Sequence, residues 1–411
     1  MNYRDFTSDF DFNQDYFEII HLVGEKRYLE ILNGIGKKLN AKGYVTPAED
    51  LLFFLELGLF NIEINRVRSS SKKARILPLW HEASDLVIGL GQTLRKLSPG
   101  ARERLKGQFI GGLRKGGLRP LHHELRTANR LCRLGADVRF NDLETGTGVD
   151  FITIQSQQEW EVAAKSISIF TGQRISPLDA DKCFDYIRRK TRGLSDRSRT
   201  PIIDIVVPKT LSMCGADLLE IARSCTEVCQ SGIKKILDNG VSISLSETLT
   251  DDKLENFKKD YINSTFRERM YIYIPPDRPN LIVRLKSLSP PKFFQRLTAT
   301  ISDSAKTQFT GARPGVIVVN IEHISSDFFQ SLTPSAGSQV LASLANAVFH
   351  SHKRAHIRQL IFTGGASQKQ LGIRQYSTNN MCVFNSPMES NWPNALFPGG
   401  HVRSSSQFSD R

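Results

Sequence analysis

The sequence predicts an α+β protein, and three observations support this fold class. Apolar residues recur at helical spacing from Tyr16 to about Phe60 and again from Leu79 to Leu113. Three short segments with strand character then follow one another between residues 136 and 169. Hydrophobic residues make up 40% of the 411-residue chain, which is enough for a substantial core without disulfide bonds.

A helical N-terminal region is predicted over the first 115 residues. Two of its helices are expected over Leu79–Leu97 and Ser98–Leu113. Ser98 suits the N-cap of the second helix, because Pro99 then occupies the first turn, where its missing amide hydrogen is not needed. The polar, serine-rich and basic segment Asn65–Ala74 is predicted to be an exposed linker.

Helical and strand periodicity alternate over the next ninety residues. Gly116, Gly117 and Pro120 interrupt the helical pattern, and an amphipathic helix is predicted over Leu121–Leu134. The elements expected after it are three strands, one helix and one further strand, over Ala136–Phe140, Val149–Ile154, Trp160–Ile169, Pro177–Arg189 and Pro201–Val207. The predicted order is therefore helix, three strands, helix, strand.

The chain as a whole is predicted to divide into three parts. They are the helical N-terminal region over 1–115, an α/β domain over 116–390 and a flexible tail over 391–411 that is rich in Ser, Pro, Gly and Asn. Within the α/β domain, the core is placed at 118–208 and a mixed α/β extension at 209–390.

The charge balance favours a polyanionic partner. The chain has 55 Lys and Arg against 42 Asp and Glu, which gives a formal net charge of +13. Nucleic acid is the first candidate for a protein with this excess of positive charge. Proteins with no such partner can carry a similar excess, so charge alone does not identify the ligand.

The cysteines and the hydrophobic runs predict a cytoplasmic protein. The six cysteines are scattered and form no CxxC pair, which is typical of free thiols in a reducing compartment and argues against zinc. The first residues are acidic and aromatic, unlike a signal peptide. No apolar run reaches the roughly 18 residues that a membrane span requires, so no membrane association is expected.

Three polar residues stand at separate places in the predicted core. Glu124 lies in the helical segment HHELR, Asp150 begins a strand in GVDF, and Lys165 lies within a strand in AAKS. Together with the element order, these residues resemble the PD-(D/E)XK nuclease superfamily over about ninety residues. The resemblance implies a restriction-endonuclease-like αβββαβ core, a bound Mg²⁺ or Mn²⁺ ion, and hydrolysis of phosphodiester bonds in nucleic acid, with DNA expected.

The sequence departs from that family pattern at Ala163, where the pattern has a second metal-binding carboxylate. Side chains alternate along a strand, so Glu161, Ala163 and Lys165 are expected on one face. Glu161 is therefore predicted to replace the missing carboxylate. The hypothesis takes Asp150, Glu161 and Lys165 as catalytic residues, and Glu124, Asp150 and Glu161 as metal ligands.

Basic and polar residues outside the motif are candidates for nucleic-acid contacts. They are Arg102, Arg104, Lys106, Arg114, Lys115, Arg119, Gln173 and Arg174. Those on the helix that begins near Ser98 can equally form a solvated basic face.

Two other interpretations of the whole chain stay open. Because of Ala163, the chain can instead be a catalytically degenerate relative that acts as a nucleic-acid-binding or assembly module. It can also be an unrelated α/β protein, in which Asp150, Glu161 and Lys165 do not meet in space.

Overall fold

The computed structural model shows an α+β protein with two mixed β-sheets. It describes residues 12–42, 55–56, 58–59, 62, 79–115, 117–169, 171, 174–175, 177–191, 200–209, 215–250, 253, 271–273, 281–289, 292–324, 326–350, 355–371, 374–387, 395–397 and 403–404. Over these residues, no helix combines the length and the apolar character needed to cross a membrane.

Eleven α-helices and twelve strands lie in the described part of the chain. The helices are α1 (Phe12–Val23), α2 (Glu25–Lys42), α3 (Leu79–Lys96), α4 (Pro99–Lys115), α5 (Leu118–Arg133), α6 (Asn141–Thr145), α7 (Pro177–Thr191), α8 (Gly215–Ser231), α9 (Phe293–Thr307), α10 (Ser326–Ser331) and α11 (Val340–Phe349). The strands are β1 (Asp137–Phe140), β2 (Phe151–Gln155), β3 (Gln158–Ser168), β4 (Thr200–Val207), β5 (Lys235–Ile236), β6 (Ser242–Leu249), β7 (Tyr271–Tyr273), β8 (Ile282–Ser287), β9 (Gly315–Glu322), β10 (Ile357–Leu371), β11 (Arg374–Asn385) and β12 (Arg403–Ser404).

The chain forms two compact units, and both are discontinuous in sequence. The first unit consists of residues 1–36, 53–169 and 294–411, and the second consists of residues 37–52 and 170–293. The chain therefore leaves the first unit after β3 and returns to it at α9. The boundary predicted at residues 115 and 116 falls inside the first unit, between α4 and α5.

The first unit is built on a seven-stranded sheet with the order β1-β2-β3-β9-β10-β11-β12. The first three strands form an antiparallel meander, β9 is parallel to β3, and β10 is parallel to β9. β11 and β12 complete the sheet in antiparallel orientation. The sequence of β9, GVIVVNIE, is nearly all apolar and nearly all buried, as expected for a central strand that is covered on both faces.

Helices α3, α4 and α5 pack in the first unit beside this sheet. Leu121, Leu125 and Ala128 are buried at helical spacing on α5, which contacts β3. A Cβ atom on Gly89 would lie 3.1 Å from the Cβ of Leu125, so glycine permits the close approach of α3 and α5. At the start of α4, Ser98 Oγ accepts a hydrogen bond from the backbone amide of Ala101 at 3.3 Å, which confirms the predicted N-cap.

The second unit packs α7 and α8 against a five-stranded sheet with the order β5-β6-β4-β8-β7. Its core contains Phe184 from α7, Ile221 from α8 and Ile205 from β4. β8 runs parallel to β4, and their register pairs Asp204 with Arg284. The two side chains form a bidentate ion pair at 2.5 and 2.7 Å.

The placement of the last helix and strand of the predicted core is corrected by the sheet topology. The segment Pro201–Val207 does form a strand, within β4, but this strand belongs to the sheet of the second unit. The parallel neighbour of β3 is instead β9, which follows α9. Periodicity identifies a strand but does not identify its partner, so the 124 residues of 170–293 could not be recognised as an interruption.

Other predicted segments have different outcomes. The mixed α/β extension predicted over 209–390 contains the long strands β10 and β11. The linker Asn65–Ala74 lies outside the described residues, as does most of the predicted tail.

Candidate functional site

Asp150 stands at the end of the connection between β1 and β2. Gly146 and Gly148 follow α6 with φ angles of 83° and 90°, which favour glycine. The backbone amide of Asn141 donates to the Asp150 carbonyl oxygen at 3.0 Å, and the Asn141 side chain donates to the Val149 carbonyl oxygen at 3.2 Å. These bonds close the turn and hold Asp150 at the start of β2.

The carboxylate of Asp150 binds two successive residues of β3. Its Oδ2 atom accepts hydrogen bonds from the backbone amide of Ala164 at 2.6 Å and from Lys165 Nζ at 2.9 Å. β2 pairs with β3 only as far as Phe151 and Val162, so the Ala164 amide lies beyond the β2 ladder and is available to the carboxylate. The Asp150 and Lys165 side chains are only 8% and 19% exposed, which strengthens this charged contact.

Two further carboxyl groups are electrostatically coupled to this pair. Burial raises the pKa of Glu124 on α5 well above its usual range, and the charges of Asp150 and Asp142 raise it further. Burial also raises the pKa of Asp142 on α6 to about 6, again with a contribution from Asp150. Lys165 acts in the opposite direction on both groups. The site therefore contains three acidic side chains against one lysine.

Asp142 is the member of this cluster that the sequence did not predict. It lies eight residues before Asp150 in the segment NDLETGTG, whose composition indicates a turn and nothing more. The sequence contains a weak signal for Asp142. If the β1–β2 connection is tight, a carboxyl group near its start lies close to Asp150 at its end. Only the fold of α6 makes this proximity definite.

Glu161 is directed toward a different part of the fold. Its side chain is 1% exposed, and it accepts hydrogen bonds from the backbone amide and the Oγ1 atom of Thr310 at 2.9 and 2.5 Å. Arg313 Nη1 lies 3.5 Å from the same carboxylate. Glu161 thus ties the start of β3 to the turn that leads into β9, and Ala163 beside it is fully buried. Its predicted role as a metal ligand stays a prediction.

The donor chemistry of the cluster suits a divalent cation, although the side chains are not arranged around one point. Carboxylate oxygens are the ligands that Mg²⁺ and Mn²⁺ prefer. The charge of Asp150 raises the pKa of both Glu124 and Asp142, and a bound cation would relieve this repulsion. Among the residues that the structure describes, however, no three His, Cys, Asp or Glu side chains lie close enough together to hold an ion. Side-chain rotation is required before a cation can be bound.

The predicted nucleic-acid-binding residues on α4 mostly have partners within the protein. Arg102 Nε donates to the Leu97 carbonyl oxygen at 3.1 Å, and Lys106 Nζ lies 3.5 Å from a Glu103 carboxylate oxygen. Arg104 binds the carbonyl oxygens of residues 143 and 144 at 2.5 and 2.7 Å, so it secures α6 against α4. These contacts give the three cations structural roles at one end of α4.

The remaining predicted nucleic-acid contacts are dispersed. Arg114 is exposed near the end of α4, and Arg119 is partly buried in the first turn of α5. Arg174 belongs to the second unit. Gln173 and the side chain of Lys115 lie outside the described residues.

Comparison with known proteins adds no relative: no protein-family model, no curated protein and no solved structure matches this chain. The resemblance to the PD-(D/E)XK nucleases therefore depends on the motif residues and on the topology. In the first unit, the helix α5, the strands β1, β2 and β3, the helix α9 and the parallel strand β9 follow one another along the chain, and residues 170–293 lie between β3 and α9 in sequence.

Proposed function

We propose that the protein is a metal-dependent nuclease that hydrolyses phosphodiester bonds, with DNA as the substrate. The contact between Asp150 and Lys165 is the observation that carries this proposal. The sequence separates these residues by a hairpin, and the resemblance predicted them to act together. A partly buried lysine held beside an aspartate, with two more carboxyl groups nearby, suits chemistry at a phosphate group.

Each residue of the cluster has a distinct part in this proposal. Asp150, with Glu124 and Asp142, would hold Mg²⁺ or Mn²⁺, which when bound supplies a Lewis acid for the phosphate and lowers the pKa of a water molecule. Lys165 contributes a positive charge that can contact a phosphate oxygen or orient the attacking water. Asp150 positions the Lys165 ammonium group, and the Ala164 amide in turn positions Asp150.

A second function is favoured by the residues around Ala163. This position has no carboxylate, and the oxygens of Glu161 are engaged by Thr310 and Arg313. A protein with these features can bind nucleic acid without cleaving it. The alternative is therefore a degenerate nuclease fold that acts as a nucleic-acid-binding or assembly module.

A cleavage assay distinguishes the two functions. Supercoiled and linear DNA would be incubated with the protein and Mg²⁺ or Mn²⁺, and the wild type would be compared with Asp150→Asn and Lys165→Ala. Asp137→Asn is a matched control, because Asp137 is a largely exposed aspartate on β1. Cleavage that both site variants lose and the control keeps supports the nuclease. DNA binding without cleavage in the wild type would favour the module.

The cytoplasm is the compartment that we propose for this activity. Cys132, Cys183, Cys225, Cys229 and Cys382 are unpaired, and burial raises the pKa of each of these thiols. Free cysteines of this kind are typical of a reducing environment.

A further inference from the structure

Three arginines form a stripe along α5. Arg126, Arg130 and Arg133 are spaced at i, i+4 and i+7, so they lie on one side of the helix. At about 1.5 Å of rise per residue, the stripe extends about 10 Å along the helix axis. Arg126 and Arg130 are partly buried, whereas Arg133 is exposed.

The guanidinium groups of the first two arginines have donors that no described residue accepts. Among the described residues, neither Arg126 nor Arg130 donates a hydrogen bond or forms an ion pair. A guanidinium group carries five N–H donors in a fixed planar arrangement. Two adjacent, partly buried guanidinium groups therefore present their donors without an internal acceptor.

The electrostatic surroundings of the stripe are positive. Burial lowers the pKa of Arg130 to about 10, and the charges of Arg126 and Arg133 lower it further. Both of the charges that shift the pKa of Arg130 are positive. An anion bound at the stripe would compensate this unbalanced charge.

Helix stabilisation explains only part of this arrangement. Arg130 and Arg133 lie in the last turn of α5, where positive charge interacts favourably with the helix dipole. Arg126 lies one turn earlier, and like charges at i, i+4 spacing destabilise a helix. The cations at the start of α4 differ, because Arg102 and Lys106 have internal partners. Arg126 and Arg130 differ from these two residues of α4 in having no acceptor among the described residues.

We propose that Arg126, Arg130 and Arg133 form a binding surface for the phosphate groups of a nucleic-acid backbone. The proposal rests on the proposed function for the identity of the ligand. Guanidinium groups match phosphate oxygens in bidentate geometry, and phosphate contacts position nucleic acid without selecting a sequence. Binding at this surface is therefore sequence-independent and sensitive to salt.

The test measures binding of a fluorescently labelled DNA duplex by anisotropy between 50 and 300 mM salt. EDTA is present, so that cleavage cannot occur. The variant R126Q/R130Q is compared with K26Q/R27Q, which removes the same charge from two exposed positions on α2. The logarithm of the binding constant falls linearly with the logarithm of the salt concentration, and each lost phosphate contact makes this slope shallower by about 0.9. R126Q/R130Q should therefore make it shallower by about 2. The control should keep the wild-type slope.

Two measurements separate binding from folding. Removing the repulsion between Arg126 and Arg130 should leave the thermal midpoint unchanged or raise it, whereas a packing role would lower it. The variant R126K/R130K keeps both charges and should retain most of the salt dependence. If it instead loses the salt dependence as R126Q/R130Q does, charge attraction at this stripe is refuted.

The outcomes distinguish this surface from the proposed function. Loss of salt-dependent binding in R126Q/R130Q alone supports the surface, whether or not the wild type cleaves DNA. Equal slopes for the wild type and R126Q/R130Q, or equal losses in both double variants, overturn the surface even if the wild type is an active nuclease. A wild type that binds no DNA in EDTA overturns the surface, and the cleavage assay with Mg²⁺ or Mn²⁺ then decides the nuclease separately.

Discussion

Lys165 Nζ lies 2.9 Å from Asp150 Oδ2, and this contact joins the start of β2 to the middle of β3. The same oxygen is also held by the backbone amide of Ala164. Asp150 can therefore lose its lysine partner and still keep one strong donor. Substitutions of the two residues should consequently have unequal effects on stability.

Lys165→Met should abolish cleavage while lowering the free energy of unfolding by only about 1 to 2 kcal/mol, because Asp150 keeps the Ala164 amide. Asp150→Leu should cost more, about 2 to 4 kcal/mol, since it leaves both the amide and a partly buried ammonium group without an acceptor. Urea unfolding of both variants measures this difference. Equal losses of stability would show that the two donors do not contribute separately.

Mg²⁺ should raise the thermal midpoint of the wild type, because a ligand that binds only the folded state stabilises it. At one hundred times the dissociation constant, the gain is about 2.7 kcal/mol. Asp150→Asn should remove the shift, and Glu124→Gln and Asp142→Asn should each reduce it. Asp137→Asn, on the exposed part of β1, is the control that should keep it. A shift that survives Asp150→Asn would place the ion elsewhere.

Glu161→Ala should destabilise the protein by about 2 to 3 kcal/mol, because it removes a buried acceptor from the amide and hydroxyl of Thr310. Glu159→Ala is the matched control, since Glu159 binds Arg313 at a more exposed position and should contribute less than about 1 kcal/mol. Glu161→Gln should preserve the Mg²⁺-induced rise in thermal midpoint. If that rise disappears, Glu161 is a metal ligand after all.

Glu56 should make the stability depend on pH. Its Oε1 atom accepts a hydrogen bond from the backbone amide of Leu118 at 3.2 Å, and burial raises the pKa of this carboxyl group to about 7. The folded state therefore binds a proton more tightly than the unfolded state, and stability falls as pH rises from about 4.5 to about 7. Glu56→Gln should match the wild type near pH 4.5 and exceed its stability at pH 8.

The gain for Glu56→Gln at pH 8 should be at most about 3 kcal/mol, which corresponds to the full difference between the two pKa values. Thermal unfolding between pH 4.5 and pH 8 measures it. Glu103→Gln is the control, because Glu103 is largely exposed on α4 and should not change the profile. Parallel profiles for the wild type and Glu56→Gln would contradict this prediction.

Local features of the fold could be predicted from the sequence. The hydrophobic periods located α3, α4, α5 and the meander of β1, β2 and β3, because each depends on side chains within one element or one hairpin. The pairing of Asp150 with Lys165 likewise depends only on residues that are close together in sequence. A turn and two adjacent strands are sufficient to bring these residues together.

The sequence by itself determined these elements and the motif residues they carry, whereas only the tertiary structure decided which elements are neighbours. β9 rather than β4 pairs with β3, and Thr310 donates to the buried carboxylate of Glu161. Asp142 joins the carboxylate cluster, and in the described part of the chain Arg126 and Arg130 have no acceptors. The physical reason is the separation of the interacting segments along the sequence. Periodicity shows whether a side chain is buried, but sheet partners and ion pairs depend on segments that lie far apart along the chain.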